Sequence, residues 1–197
     1  MSRRQQLALG LCLMAAALGF GYHSNRPAPS APPAITEEER VELTQQQQIF
    51  SAWYTDYSHL LDQLDYNWQQ YGRILSDFRE DNISIQTAFL RLNQLERENE
   101  AVKLRLSRNA PPLSLNDANY DLSAAVSKKT LDYAQAQYEA IHGTADAADQ
   151  ARSLALPQEE ISRQLEDIRT RKAPPALFTA GEIAALRDNL SIEGEAE

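Results

Sequence analysis

Between residues 50 and 78 a ring or an aliphatic side chain returns at every seventh position: Phe50, Tyr57, Leu64, Tyr71 and Phe78. Trp53, Leu60 and Ile74 take the next inward position, with Tyr54, Leu61, Trp68 and Leu75 beside them. An α-helix gathers positions three and four apart onto one side, so these residues form a single apolar stripe. The pattern predicts an all-α fold: an antiparallel helical bundle built on a long helical hairpin.

The punctuation between stripes predicts the elements. Thr36-Glu37-Glu38-Glu39 reads as a capping box with an acidic first turn, and the first helix runs from there to about Arg79. Val41 and Leu43 extend its stripe weakly, and Gln45 to Gln48 occupy inner positions, so close packing is expected from Ile49 onward. Asp81-Asn82-Ile83-Ser84 breaks the pattern, with Ser84 placed to cap a second helix carrying Ile85, Ala88, Phe89, Leu92, Leu95, Val102 and Leu106. Asn99 falls on that stripe, where a buried Asn can set register. The helix ends at Ala110-Pro111-Pro112, and so short a connection makes helices one and two an antiparallel hairpin. A third helix is expected from Asp117 to His142, with a stripe of Tyr120, Ala124, Leu131, Ala134, Tyr138 and Ile141. Gly143 reads as its stop and Thr144 as the cap of an Ala-rich continuation to Leu154. Pro157 opens a fourth helix bearing Ile161, Leu165 and Ile168 to Lys172. Beyond Pro174-Pro175, Thr179 and Glu182 form a second capping box before Ile183, Leu186 and Leu190. Periodicity does not say whether these last two helices dock.

Ahead of the helices lies a different kind of sequence. Arg3 and Arg4 precede an uncharged run from Leu7 to Tyr22, the layout of an export signal. Ala15-Ala16-Ala17 and Ala17-Leu18-Gly19 carry small residues that suit cleavage after either triplet, while an uncleaved anchor would leave the N-terminus cytoplasmic. The organisation expected is a signal peptide or membrane anchor over 1–24, a Pro-rich linker over 25–35, a helical bundle domain over 36–190 and an acidic, disordered tail over 191–197. The body is thus expected in the periplasm or on the extracytoplasmic face of a membrane. A twin-arginine signal is disfavoured by Gln6, and a lipid anchor on Cys12 by the bulky Leu11 before it. Cys12 is the only cysteine, so the bundle has neither a disulfide nor a thiolate metal site.

Charge narrows the partners. The net charge of −9 argues against nucleic acid, which selects a basic face. Residues 83–112 are net basic, and their packing against the acidic first helix is electrostatically favoured. Catalytic patterns are weak. Glu139-x-x-His142 and Asp56-x-x-His59 resemble the Glu-x-x-His element of di-metal bundles. With Tyr57 and Leu60 facing inward, however, Asp56 and His59 point out, and His142 abuts Gly143. No Gly-x-Ser-x-Gly elbow and no Gly-rich phosphate loop occurs. No catalytic, metal or cofactor residue is assigned, and the chain is read as non-enzymatic.

Eight of the fifteen aromatic residues lie between Phe50 and Phe78, which makes this helix the place to look for recognition. Core packing accounts for those on the stripe; Tyr66 lies off it. Trp53, Tyr57, Tyr66, Trp68 and Tyr71 form the candidate interaction surface. The expectation is an exported, membrane-tethered, non-catalytic bundle serving as a structural or adaptor module in the bacterial cell envelope. Its partner would be a protein, with homo-oligomerisation an open alternative and membrane contact through the leader if it is retained. A second reading is a small exported ligand-binding bundle with an aromatic pocket on the first helix. An envelope metalloenzyme is a distant third.

Overall fold

The computed structural model describes residues 36–154 and 156–192. They form five α-helices: α1 (Glu37–Arg79), α2 (Ile85–Arg108), α3 (Asp117–Leu154), α4 (Gln158–Arg171) and α5 (Ala180–Asn189). The expected leader, linker and last five residues lie outside the described residues. No helix among the described residues is long and apolar enough to cross a membrane. The chain divides into two units, Met1–Arg40 and Val41–Glu197. In the described part of the first, the capping box is reciprocal. The Glu39 N–H donates to Thr36 Oγ1 at 3.2 Å, and the Thr36 N–H donates to the Glu39 carboxylate at 2.8 Å. That backbone donor holds the Glu39 carboxyl below its ordinary range.

In the second unit α1 and α2 form the expected hairpin. Asp81 takes a left-handed conformation (φ 60°), which a short Asp side chain tolerates, and the chain reverses there. Ser84 Oγ then accepts the Thr87 N–H at 3.2 Å and caps α2. Arg91 reaches Asp77 at 3.4 Å and Arg105 reaches Gln63 at 2.9 Å; partner numbers rise on one helix as they fall on the other, so the two are antiparallel.

The third helix departs from expectation. It is one uninterrupted rod from Asp117 to Leu154, and Gly143 lies within it instead of ending it. An interior Gly costs only about 1 kcal/mol relative to Ala, less than this helix recovers by packing. Here the small residue accommodates Lys172, whose ammonium lies 2.9 Å from where a Cβ would stand. Thr144 is no cap but a buried rung of the core. The buried face is also rotated from the expected one. Ala134 and Ile141 are buried, but Tyr120, Ala124, Leu131 and Tyr138 are only partly covered. The innermost line is Ser123, Thr130, Gln137 and Thr144, one heptad apart.

The reason lies across the core. Tyr57 Oη meets Thr130 Oγ1 at 2.7 Å, Tyr71 Oη meets Thr144 Oγ1 at 2.7 Å, and Gln137 Nε2 donates to the Leu64 carbonyl at 3.3 Å. Each pair is 73 residues apart in sequence, so α1 and α3 run parallel in fixed register over three rungs that span two heptads. Buried tyrosine hydroxyls require partners. α3 supplies them with small hydroxyl-bearing side chains that also let the rings approach closely.

Both short helices dock. Gln158 donates to the Phe78 carbonyl, Thr179 lies against the Tyr57 hydroxyl, and Gln47 donates to the Leu190 carbonyl. Contacts therefore climb α1 backwards, and α4 with α5 forms an interrupted fourth column, antiparallel to α1. The predicted capping box at Thr179 does not form, because Glu182 is taken by the Lys129 ammonium. The core falls into two clusters. One centres on Tyr71, Phe78, Leu92 and Ile141 beneath α4; the other on Phe50, Tyr57, Leu64 and Val126 beneath α5.

Candidate functional site

The residues singled out from sequence divide between inside and outside. Trp53, Tyr57 and Tyr71 are buried, with exposures of 4%, 1% and 0%. Trp53 Nε1 donates to the Asn109 carbonyl at 3.2 Å, tying α1 to the end of α2. Burial pushes the Tyr71 hydroxyl up to about 12 and raises that of Tyr57 as well, so both are neutral hydrogen-bonding groups at ordinary pH. Trp68 packs partly buried against the α4-side cluster, its ring 5.0 Å from that of Tyr71. Tyr66 is 58% exposed and lines a shallow groove of about 250 Å³ on the α1–α2 seam with Arg73, Asp77 and Arg91. Of the five, Tyr66 and the open side of Trp68 are what an outside molecule can touch.

Between the two apolar clusters lies a polar layer. Asn67 on α1, Asn99 on α2 and Gln137 on α3 are each at least nine-tenths buried. Asn99 Nδ2 donates to Gln137 Oε1 at 3.0 Å. Asn67 Nδ2 and Asn99 Oδ1 find no protein partner. A layer of this kind penalises slipped or rotated pairings, since a shift would set the amides against leucine. Asn99 was legible as a register residue, and Asn67 could have been, since it fills the gap between Leu60 and Ile74 on the phased α1 stripe; Gln137 was not, because the stripe of α3 could not be phased from sequence.

The outer face of α2 is the most distinctive surface. Leu90 and Leu104, two heptads apart, are 57% and 48% exposed. Around them stand Arg91, Arg97, Lys103, Arg105 and Arg108. On the α3 side, Leu104 and Leu131 line a groove of about 630 Å³ together with Arg97, Lys103 and Gln135. On the α1 side, His59, Gln63, Arg105 and Arg108 line another of about 530 Å³ with Asp56. Asp56 and His59 are thus on the outside, where helical phase puts them. Leu90 and Leu104 escaped notice because they are isolated leucines on an otherwise polar face. Their seven-residue echo with Arg97 between them was the available signal.

A larger concavity of about 920 Å³ runs along α4, lined by Arg79, Gln158, Ser162, Arg163 and Glu166. Nearly all its lining comes from one face of one helix.

His142 is engaged in the α2–α3 seam. Its Nδ1 lies 2.8 Å from Glu96 and its Nε2 lies 3.5 Å from Asp146. Its ring stacks on Tyr138 at 5.6 Å, and Lys103 Nζ covers the same tyrosine at 4.0 Å. Burial, then the charges of Glu96 and Glu100, raise the Tyr138 hydroxyl. The arrangement ties α2 to α3. Among the described residues, no three His, Cys, Asp or Glu side chains come together as metal ligands. Comparison with protein-family models, with curated proteins and with solved structures finds no match to this chain.

Proposed function

We propose that this protein is a non-catalytic adaptor or structural module of a bacterial cell envelope, exported and held at the membrane by its N-terminal segment, and that it recognises a protein partner with the α1–α2 hairpin. One observation carries the reading: the outer face of α2 presents Leu90 and Leu104 at helical spacing among five cations, with grooves on either side of the helix at its Leu104 end. A bundle gains nothing for its own stability from leucines left in water. Apolar anchors ringed by charge are the composition of an association surface. Tyr66 extends the same hairpin surface on the α1 side, with an amphiphilic ring suited to a half-wet contact.

The export half of the proposal rests on the basic start, the apolar run and the proline-rich spacer of residues 1–35. Cell fractionation with N-terminal sequencing of the mature protein tests it. Recovery of full-length chain in the cytosolic fraction would refute it. For the interaction, a photo-crosslinking residue at Arg97, between the two leucines, is expected to trap one dominant protein in intact envelopes. A crosslinker at Glu159 on α4 should not. Leu90→Asp with Leu104→Asp should abolish the adduct while helicity is retained. Equal labelling from both positions, or an adduct indifferent to the double substitution, would sink the reading.

A further inference from the structure

We infer that the outer line of α2 seats an acidic amphipathic helix of a protein partner, laid lengthwise along it. Aliphatic side chains of that helix meet Leu90 and Leu104, and its carboxylates meet Arg97 and Arg108. The inference rests on the proposed reading of this face as an association surface and adds the chemistry of what associates there.

α2 carries two lines of heptad spacing on opposite sides. The inner line is Ala88, Leu92, Leu95, Asn99, Val102 and Leu106, all buried. The outer line is Leu90, Gln94, Arg97, Ala101, Leu104 and Arg108, at alternating steps of four and three, and every one of them is exposed. Such spacing keeps one side of a helix turned toward a second helix along its whole length. Leu90 and Leu104 stand about 21 Å apart along the axis, so an occupant that meets both needs about four turns of helix. Ala101 is small and lets a partner backbone come close between them. The grooves on either side of the helix at its Leu104 end give room for the flanking side chains of the partner.

The charge of the occupant follows from that of the seat. The chain carries a net charge of −9, and elsewhere its guanidinium groups find carboxylates, as Arg91 finds Asp77 and Arg169 finds Glu166. Among the described residues Arg97 and Arg108 make no ion pair and no hydrogen bond. Arg105 beside them is bonded to the neutral Gln63 and to no carboxylate among those residues. The outer line itself holds no acidic residue. Of the two that flank it, Glu98 is engaged by Gln94 at 2.8 Å, which leaves Glu100 against three uncommitted cations. Carboxylates of a partner complement that surplus and fix its register along α2. A second copy of α2 does not. Pairing Leu90 with Leu104 in an antiparallel dimer, or each leucine with itself in a parallel one, sets Arg97 against Arg97. An anionic lipid surface is a poor match as well, because Gln94 and Arg97 interrupt the apolar line that would have to enter it.

The test uses the full-length protein and two synthetic helical peptides of about 21 residues as probes. Both carry the same single leucine stripe, flanked in one by glutamate and in the other by lysine. Fluorescence anisotropy should show the glutamate peptide bound about tenfold more tightly, or better. Attraction to the net charge of the whole chain would favour the lysine peptide, so the two causes give opposite results. Arg97→Glu with Arg108→Glu should invert the preference. Both side chains are exposed, so the fold is kept, and circular dichroism checks that. Leu90→Asp with Leu104→Asp should weaken the binding of both peptides. A wild-type preference for the lysine peptide, equal or absent binding, or a preference unchanged by the double arginine substitution would overturn the inference. So would a wild-type dimer in sedimentation that the double leucine substitution dissolves, which would give the face to a second copy. In intact envelopes, a photo-crosslinker at Ala101 should attach to a helix-period segment rich in Asp and Glu. A trapped protein whose attached segment lacks that pattern would overturn this inference and leave the proposed function standing. Failure to trap any protein would sink the proposed function, and this inference with it.

Discussion

The rung formed by Tyr71 and Thr144 makes an asymmetric prediction about single substitutions. A threonine hydroxyl has one proton, and that of Thr144 is donated to the Ala140 carbonyl at 2.8 Å. Tyr71 must therefore be the donor across the 2.7 Å contact. Tyr71→Phe removes that donor and leaves Thr144 with its own proton still bonded. The expected cost is that of one net hydrogen bond, about 1 kcal/mol. Thr144→Val leaves the Tyr71 hydroxyl proton without an acceptor at a position of 0% exposure. An orphaned buried donor costs about 1–3 kcal/mol, so this variant should be the less stable of the two. The double variant leaves no orphan, and its cost should fall short of the sum by about 1–2 kcal/mol. Urea unfolding followed by circular dichroism, with the slope held common, measures all three. Additive costs, or a Tyr71→Phe cost exceeding that of Thr144→Val, would refute the assigned direction of the bond.

Three further outcomes are expected. Leu64→Ala, at a fully buried position in the α1 stripe, should destabilise the bundle by about 2–5 kcal/mol in the same unfolding assay. Gly143→Ala should stabilise it by about 0.5–1 kcal/mol, because helix propensity improves and the crowded neighbour is the movable end of Lys172; a loss of stability would mean that the Lys172 contact is rigid. Stability should fall as pH rises from about 10 to about 12. The Tyr71 hydroxyl is raised to about 12 by burial, so the native state retains a proton that the unfolded chain has released. The unfolded chain is thereby favoured, by about 2–3 kcal/mol from this group at the end of the window, and Tyr71→Phe should flatten the decline.

The stripe of α1 was readable because its large side chains repeat on one side only, and the same holds for Ile85 to Leu106 of α2. α3 could not be phased this way. Its buried line consists of Ser123, Thr130, Gln137 and Thr144, residues that mark a solvated face elsewhere. Their burial follows from the tyrosines of another helix, 73 residues away. Gly143 misled for a related reason. A local stop signal carries about 1 kcal/mol, and packing of a long rod overrides it. Glu182 shows the same competition at a helix start, where a lysine on α3 outbids the local backbone. For the interaction surface, sequence drew attention to five aromatic residues. Tertiary packing covers Trp53, Tyr57 and Tyr71 and leaves Tyr66 outside.

By itself, then, the sequence determined the class of fold, the α1–α2 hairpin and the inward side of its longest helix, because apolar periodicity and capping residues act over a few turns. Only the tertiary structure decided which polar side chains of α3 enter the core, the parallel register of α1 with α3, and the docking of α4 and α5. It also decided that Leu90 and Leu104 remain in water. Each of these depends on what stands opposite a residue across the bundle, a partner that no local pattern in the chain encodes.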